Sequence, residues 1–477
     1  MASHRTPRIT RSELERIVAE LVERAEQSGN LPKRTGGAVA VVQDADVVYQ
    51  GTFGLRDRAR GLAVTSKTVF DVGSLTKTMT SSALMLAHER GKLDLDQPLR
   101  ARTRVLQLRD PEAADLSLAD VLSHRVGLPA HDFLWYFGGH ATRELASRLR
   151  HLESVPNRFR KTFVYNNALY GCTQLVIEDI LACSWEELVT SKLLRPLGMN
   201  ATTLSDGSAS DDQAQPYLHG QLTKRKSMAP VAPAGAARST IEDMAGWALF
   251  QLGQRGDIVN KRSLSAMHAT KISAAGASPL ILSGLEWLGP PAYGYGWFLG
   301  EAHGEKAVYH MGLVDGFSSA MVLFPGLSLG FVVLVNDNLS GFPGMLVEQL
   351  FARFTGHEPT RSPMAPEAPA PSALPAQVSA PRGVEGTYED PAYGHVTVSG
   401  DGYSCRLAYG SYEWPLRFHA PTEATFTVFA FGLDVSLSAS FADNEISIPF
   451  SLDPRVSPQV FKRSSGTDGG ESRPSTM

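Results

Sequence analysis

A serine and a lysine three residues apart, in Ser74-Leu75-Thr76-Lys77, are the side chains of this sequence whose spacing points most directly to chemistry. At the start of a helix they share one face, one turn apart, which brings a lysine amine within reach of a serine hydroxyl. An alcohol with a base beside it is the minimum apparatus of a serine nucleophile. The flanks predict where the pair sits. Phe70-Asp71-Val72-Gly73 reads as a turn, and Met79 to Arg90 is rich in helix formers and stops at Gly91, so the tetrad opens a helix. Taken alone, such a spacing is more often a helix-capping serine followed by a solvated lysine.

Three further segments discriminate between the two readings. Tyr165-Asn166-Asn167 places a phenol and a carboxamide two residues apart just before a helix. A phenol moves a proton when neighbouring lysines lower its pKa, and an amide orients a carbonyl. The plainer alternative is a packed ring in a Tyr-Asn turn. His310-Met311-Gly312 closes one β segment and Gly316-Phe317 opens the next. A strand edge there offers backbone N–H groups, and a glycine lets a ligand lie close to the chain. The alternative is a histidine buried in a sheet. Leu122-Ser123-His124-Arg125-Val126-Gly127-Leu128-Pro129 reads as a helix end with a glycine stop, architectural in character, with His124 the weaker candidate for direct contact.

The elements that must position these groups follow from periodicity. Thr10-x-x-Glu13 is a capping box that opens a helix with an apolar face of Leu14, Ile17, Val18, Leu21, Val22 and Ala25. Gly36 to Gln43 and Val47 to Phe53 form a hairpin about Asp44-Ala45-Asp46. The middle reads as helices at 118–122, 142–152, 168–181, 185–194, 241–252 and 262–267. Strands return at 295–299, 307–310, 317–324 and 329–336, and a helix follows at 345–353. Strands at both ends with helices between predict one sheet built from both ends, with a helical insertion. Pro359 to Pro381 carries seven prolines and reads as a semi-rigid linker. Beyond it, short β-like runs predict a small all-β barrel or sandwich. The expected organisation is a catalytic domain at 1–356, a linker at 357–382, a β domain at 383–463 and a disordered tail at 464–477.

Bulk properties narrow the function classes. A net charge of −4 over 477 residues argues against nucleic acid. Cys172, Cys183 and Cys405 lack metal-ligand spacing, and no phosphate loop or dinucleotide glycine pattern occurs, so neither metal nor cofactor is expected. No apolar run reaches the roughly 20 residues of a membrane span, so no membrane partner is expected. Met1 to Ser12 lacks a signal-peptide core, which sets a cytoplasmic location as the expectation.

In chain order, Ser74-x-x-Lys77, Ser123-His124-x-x-Gly127-Leu128, Tyr165-x-Asn167, Pro196-Leu197-Gly198-Met199 and His310-x-Gly312 resemble the serine beta-lactamase-related and penicillin-binding-protein family. The subgroup most similar is that of class C beta-lactamase-like esterases, D-aminopeptidases and transacylases, and the resemblance runs over residues 12 to 355. Glu385 to Gly394 is similar to the start of a lipocalin-like β domain found fused to such hydrolases. The resemblance implies an α/β (α+β) beta-lactamase/transpeptidase-like fold, an antiparallel sheet flanked by helices plus a helical subdomain, with a separate all-β barrel.

It also implies roles. Ser74 attacks an acyl carbonyl, and Lys77 and Tyr165 share its proton. Lys77 can act as base only if burial or a nearby cation lowers its pKa from the usual value of about 10.4. Asn167 holds the acyl group or its amide. The backbone N–H groups of Ser74 and Leu313 hold the oxyanion, and His310 and Gly312 line the substrate strand. One departure bears on substrate. Relatives that act on beta-lactams carry Lys-Thr-Gly where this chain has His310-Met311-Gly312. A histidine is mostly neutral at pH 7, so weak action on beta-lactams is expected, with a preference for esters or amides that lack a carboxylate. Val126 and Ala182-Cys183 also depart from common family residues. The expected function is a serine acyl-enzyme hydrolase for a small molecule or short peptide. The alternatives are transfer of the acyl group to an amine or alcohol, and a non-catalytic scaffold, against which the intact Ser74, Lys77 and Tyr165 argue.

Overall fold

The computed structural model describes residues 9–153, 157–206, 210–282, 284–338, 341–360, 376–451 and 456–464. The centre of the expected linker, 361–375, and the expected tail from 465 on lie outside the described residues. The chain divides into two compact units. One comprises Met1–Ala130 and His140–Ala370, the other His131–Gly139 and Pro371–Met477.

The first unit opens with helix α1 (Arg11–Gln27), which buries Leu14, Ile17, Val18 and Ala25. The Thr10 hydroxyl accepts from the Glu13 N–H, 3.3 Å, which is the N-cap half of the expected box. A reciprocal capping box occurs elsewhere, between Ser117 and Asp120. The sheet has eight strands: β1 (Gly37–Gln43), β2 (Asp46–Phe53), β3 (Ile272–Ser273), β4 (Ala292–Tyr293), β5 (Phe298–Ala302), β6 (Glu305–Val314), β7 (Phe317–Phe324) and β8 (Leu329–Val335). Their order is β2-β1-β8-β7-β6-β5-β4-β3. The N-terminal hairpin closes on the last strand in antiparallel register, Gly37 opposite Val335 through Gln43 opposite Leu329. The sheet is therefore built from both sequence ends, as the pattern predicts.

Strand β8 is buried along its whole length because both faces of the sheet are covered. Val39, Val41, Phe331, Val333 and Val335 share a core with α1 and with the helix Phe342–Thr355. On the opposite face, Gly330 approaches Val42, Leu323 and Leu252, the residue that ends helix Ile241–Gln251. Helices thus cover both faces of the antiparallel sheet, as expected from the sequence. Among the described residues, no helix is long and apolar enough to cross a membrane.

Two strands differ from their expected bounds. β6 does not close at His310 but continues to Val314, because its register with β7 holds up to the pair Val314–Phe317. The stretch 295–297 is not strand. Gly296, at φ 75°, turns the chain against the Lys77 carbonyl and Ser81, and β5 begins only at Phe298.

The second unit holds a nine-stranded antiparallel sheet running in space from Tyr412–Pro415 to Arg417–Ala420. The Trp414 ring lies 5.9 Å from that of Phe426, which brings the two ends of the sheet together into a nearly closed barrel. Its core is composite. Phe133, Leu134, Trp135, Tyr136 and Phe137, from the helix Asp132–Tyr136 and its end, are all buried. Phe137 meets Tyr412 at 4.8 Å and Trp414 at 5.1 Å, and His131 Nδ1 lies 2.9 Å from the Tyr393 hydroxyl.

Ala182 ends the helix Thr173–Leu181 in the left-handed region, φ 52°, where a Cβ crowds the following carbonyl. Substituting Ala182→Gly is expected to stabilise the protein by about 0.5–1 kcal/mol, the relief of that crowding less the entropy glycine adds to the unfolded chain. A urea midpoint that rises at constant m-value checks it, and an unchanged or lowered midpoint contradicts it.

Candidate active site

Ser74 sits in the single turn Gly73–Leu75 that leads into helix α2 (Thr76–Glu89). α2 is buried from Thr76 to Ala87, although its first residues are Thr-Lys-Thr-Met-Thr-Ser-Ser. A polar stretch survives there because its hydroxyls are bonded. Thr76 Oγ1 donates to the Gly73 carbonyl at 2.7 Å and Thr80 Oγ1 to the Pro233 carbonyl at 2.8 Å. Trp247 Nε1 donates to Thr78 Oγ1 at 3.0 Å.

The approach to Ser74 is fixed on two sides. Asp71 is paired with Arg225 and, at 3.2 Å, with Arg238. Burial raises the Asp71 carboxyl above its usual range against the pull of those two arginines. Phe70 and Asp71 pair with Ser239 and Arg238 in a short ladder, and the Val72 N–H donates to the Ala237 carbonyl at 3.0 Å. On the other side lies β6. A Cβ on Gly312 would stand 2.0 Å from the Val72 oxygen, and one on Gly73 would stand 2.9 Å from the Leu313 nitrogen. Only glycines let the two backbones touch, and that contact brings the Leu313 N–H beside the Ser74 turn. β5 ends opposite Tyr309 while β6 continues to Val314, so from His310 onward β6 has a strand neighbour on one side only.

Lys77 is fully buried. Its Nζ donates to Asn167 Oδ1 at 2.7 Å, to the Ala234 carbonyl at 2.9 Å and to Ser74 Oγ at 3.1 Å. The Tyr170 hydroxyl donates to the Lys77 carbonyl at 2.9 Å, which pins the helix turn that carries the amine. Nζ also lies 4.6 Å from the centre of the Tyr165 ring. Asn167 starts the helix Asn167–Gly171, whose N-cap is Asn166; the Asn166 side chain accepts from the Leu169 N–H at 2.9 Å. Ser74, Tyr165, Asn167 and Leu313 are each partly exposed between buried neighbours. Of the groups expected to touch a substrate, these are partly exposed, whereas His310 and Gly312 are buried.

The structure brings Ser74, Lys77, Tyr165, Asn167, Gly312 and Leu313 together. It treats His310 differently. The ring is fully buried, with Nδ1 2.6 Å from the Met311 carbonyl and Nε2 3.1 Å from the Tyr293 hydroxyl. The ring expected on the substrate side thus has both nitrogens engaged within the protein. Burial, with Lys77 nearby, pushes its pKa down to about 3, so the ring is neutral. The Asn167 carboxamide oxygen, expected to face the acyl group, is bonded to Lys77. Three contributors have no signature in the sequence. The Ala234 carbonyl is a backbone group, and Tyr170 and Tyr293 act through contacts distant in the chain.

A beta-lactamase family model matches residues 14–353. An unguisins hydrolase of Aspergillus campestris is 30% identical over 345 residues, covering 68% of this chain; the chain spans only 62% of that relative's length. Among solved structures, the octameric penicillin-binding protein homologue from Pyrococcus abyssi superposes with a TM-score of 0.63 at 23% identity, covering 94% of this chain and 100% of that one. A mutant class C beta-lactamase superposes with a TM-score of 0.58 at 20% identity, covering 72% of this chain and 99% of that one. Both structures are similar in fold.

His124, His268 and His310 are held neutral by burial; the latter two have pKa values near about 3, against an ordinary 6.5. In the unfolded chain they are free to protonate, so below the ordinary value the unfolded state binds more protons and stability falls with pH. Full stability is expected above about pH 7, with a loss on acidification that approaches about 1.4 kcal/mol per pH unit for each histidine. Urea midpoints between pH 7 and pH 5 check this, and a flat profile contradicts it.

Proposed function

The chain belongs to the beta-lactamase family of serine hydrolases, and we propose that it forms an acyl-enzyme on Ser74 from an ester or amide of a small molecule or short peptide. The observation that carries this reading is the fully buried Lys77 amine, 3.1 Å from Ser74 Oγ. Two carbonyls, of Asn167 and Ala234, take two of its N–H directions. A further tetrahedral position of the nitrogen then faces Ser74, and in the neutral amine that position is the lone pair of a base.

In the proposed cycle, Ser74 Oγ bonds to the acyl carbon as its proton passes to Lys77, with Tyr165 as the coupled partner of the amine. The carbonyl oxygen becomes an oxyanion between the N–H groups of Ser74 and Leu313. Collapse breaks the bond to the leaving oxygen or nitrogen, which takes the proton held by Lys77 and Tyr165. Water then adds to the acyl carbon along the reverse route, releases the acid and returns the proton to Ser74. An amine or alcohol arriving in place of water completes acyl transfer instead.

The neutral, buried His310 supports a substrate without a carboxylate, since the ring supplies no cation at the β6 position. The one-sided edge of β6 from His310 to Val314 suits an extended acyl chain or a peptide backbone. The relative named for hydrolysing unguisins supports hydrolysis over transfer.

A fluorophosphonate probe is expected to label Ser74 in the wild type and to leave Ser74→Ala unlabelled, by intact mass and peptide mapping. Absence of labelling overturns the acyl-enzyme reading. The Lys77→Met variant, with the nearest neutral shape, is expected to be labelled about a hundredfold or more slowly. On substrates, kcat/KM for a chromogenic cephalosporin is expected to lie well below that for an uncharged activated ester. Equal values contradict the proposed preference. Adding amine acceptors to the ester assay measures transfer directly, as product partition.

A further inference from the structure

We propose that His124 is a positioning residue that holds Tyr165 in place against Lys77 by gripping the backbone on both sides of the tyrosine; this rests on the acyl-enzyme reading above. The Val164 N–H donates to the His124 carbonyl at 2.9 Å, and the Asn166 N–H donates to His124 Nδ1 at 3.2 Å. Asn166 is extended, φ −131° and ψ 103°. Amides two apart in an extended chain point the same way, so one residue takes both, and Tyr165 is the residue between them. The His124 ring also packs on the Tyr165 ring, with centroids 4.4 Å apart and a 38° tilt.

His124 is a costly residue to keep here. Its φ is 54°, the left-handed region in which a side chain crowds the backbone. Because Nδ1 accepts, the ring proton sits on Nε2, and Nε2 is buried with no hydrogen-bond partner among the described residues. Two unfavourable features on one residue beside the candidate proton-transfer pair fit a positional role better than core filling. Burial, with Lys77 nearby, keeps the imidazole neutral, which preserves the Nδ1 lone pair as the acceptor for Asn166.

The ring also packs against Phe163, Tyr170 and Tyr293, with centroids 5.8, 5.3 and 5.1 Å away, but the surrounding scaffold has bonds of its own that do not involve it. Asp120 bonds Arg125 at 2.7 Å and Arg160 at 2.8 Å, the Arg160 N–H donates to the Arg125 carbonyl at 2.7 Å, and Asn166 Nδ2 donates to the Pro129 carbonyl at 3.0 Å. These bonds tie the two segments together on either side of His124. Removing the imidazole is therefore expected to loosen Tyr165 while the fold persists.

The substitutions His124→Gly and His124→Asn separate the contributions. Glycine accepts the left-handed backbone and removes the acceptor. Asparagine tolerates the same backbone and places an amide oxygen where Nδ1 stood. Using p-nitrophenyl acetate turnover on the full chain, the glycine variant is expected to lose about tenfold to a hundredfold in kcat with KM within about threefold, and asparagine to restore most of the loss. Hydrogen exchange at the Asn166 amide should quicken in the glycine variant and slow again with asparagine. Should the glycine variant not fold, His124→Phe, which keeps a ring against Tyr165 and lacks the acceptor, takes its place. A wild-type kcat in the acceptor-less variant, or an asparagine variant as impaired as glycine, overturns the proposal. Fluorophosphonate labelling of the wild type separates the two levels: an unlabelled Ser74 removes the acyl-enzyme reading and this proposal with it. A labelled Ser74 beside an unimpaired glycine variant removes this proposal alone.

Discussion

The contact on which the candidate site depends is the Lys77 amine, buried and bonded at once to Asn167, Ala234 and Ser74. An amine out of water needs partners, and carbonyls at fixed positions also give it a direction. Much of the first unit serves that geometry. The helix that carries Lys77 is buried and polar, and its hydroxyls are met by the segment 233–237 and by Trp185 and Trp247. The Asp71 ion pairs and the short ladder at Phe70–Asp71 fix the turn that carries Ser74. The carbonyl of Ala234 belongs to the same anchored stretch.

A second constraint acts on the substrate side. Gly73 and Gly312 allow backbone to meet backbone, at separations a Cβ would forbid. The same contact sets the distance between the Ser74 turn and the Leu313 N–H, the two donors expected to share an oxyanion. β6 outruns β5 beyond Tyr309, so the edge beside this pair is not taken by another strand. The Ser74 turn and the edge of β6 therefore meet in one packing arrangement, backbone against backbone.

Much of this was legible beforehand. The Ser74–Lys77 spacing placed both residues on one helical face, and local helix geometry alone makes that contact. The hairpin at 36–53 and the strands from 307 to 336 were visible as period-two or fully apolar runs, and the antiparallel sheet follows. The limits of legibility are equally specific. His310 reads as a substrate-side residue, yet its ring is sealed between Met311 and Tyr293, because a strand pattern does not say how deep its face is buried. The strand expected to close at His310 runs on to Val314, because pairing with β7 carries it past Gly312. His124 reads as part of a helix end, and its hold on the residues around Tyr165 arises across a gap of 42 residues.

By itself the sequence determined the chemical inventory and its local geometry: which serine, which amine, one turn of helix between them, and no lysine at the β6 position. Tertiary structure alone decided what surrounds that inventory. The Ala234 carbonyl on Lys77, the burial that keeps His310 and His124 neutral, and the joining of His131–Gly139 to the C-terminal strands are all long-range. Contacts within a turn depend on residue spacing. Contacts across the chain depend on which surfaces bury each other, and a backbone carbonyl or a buried ring nitrogen leaves no residue-type signature of that choice.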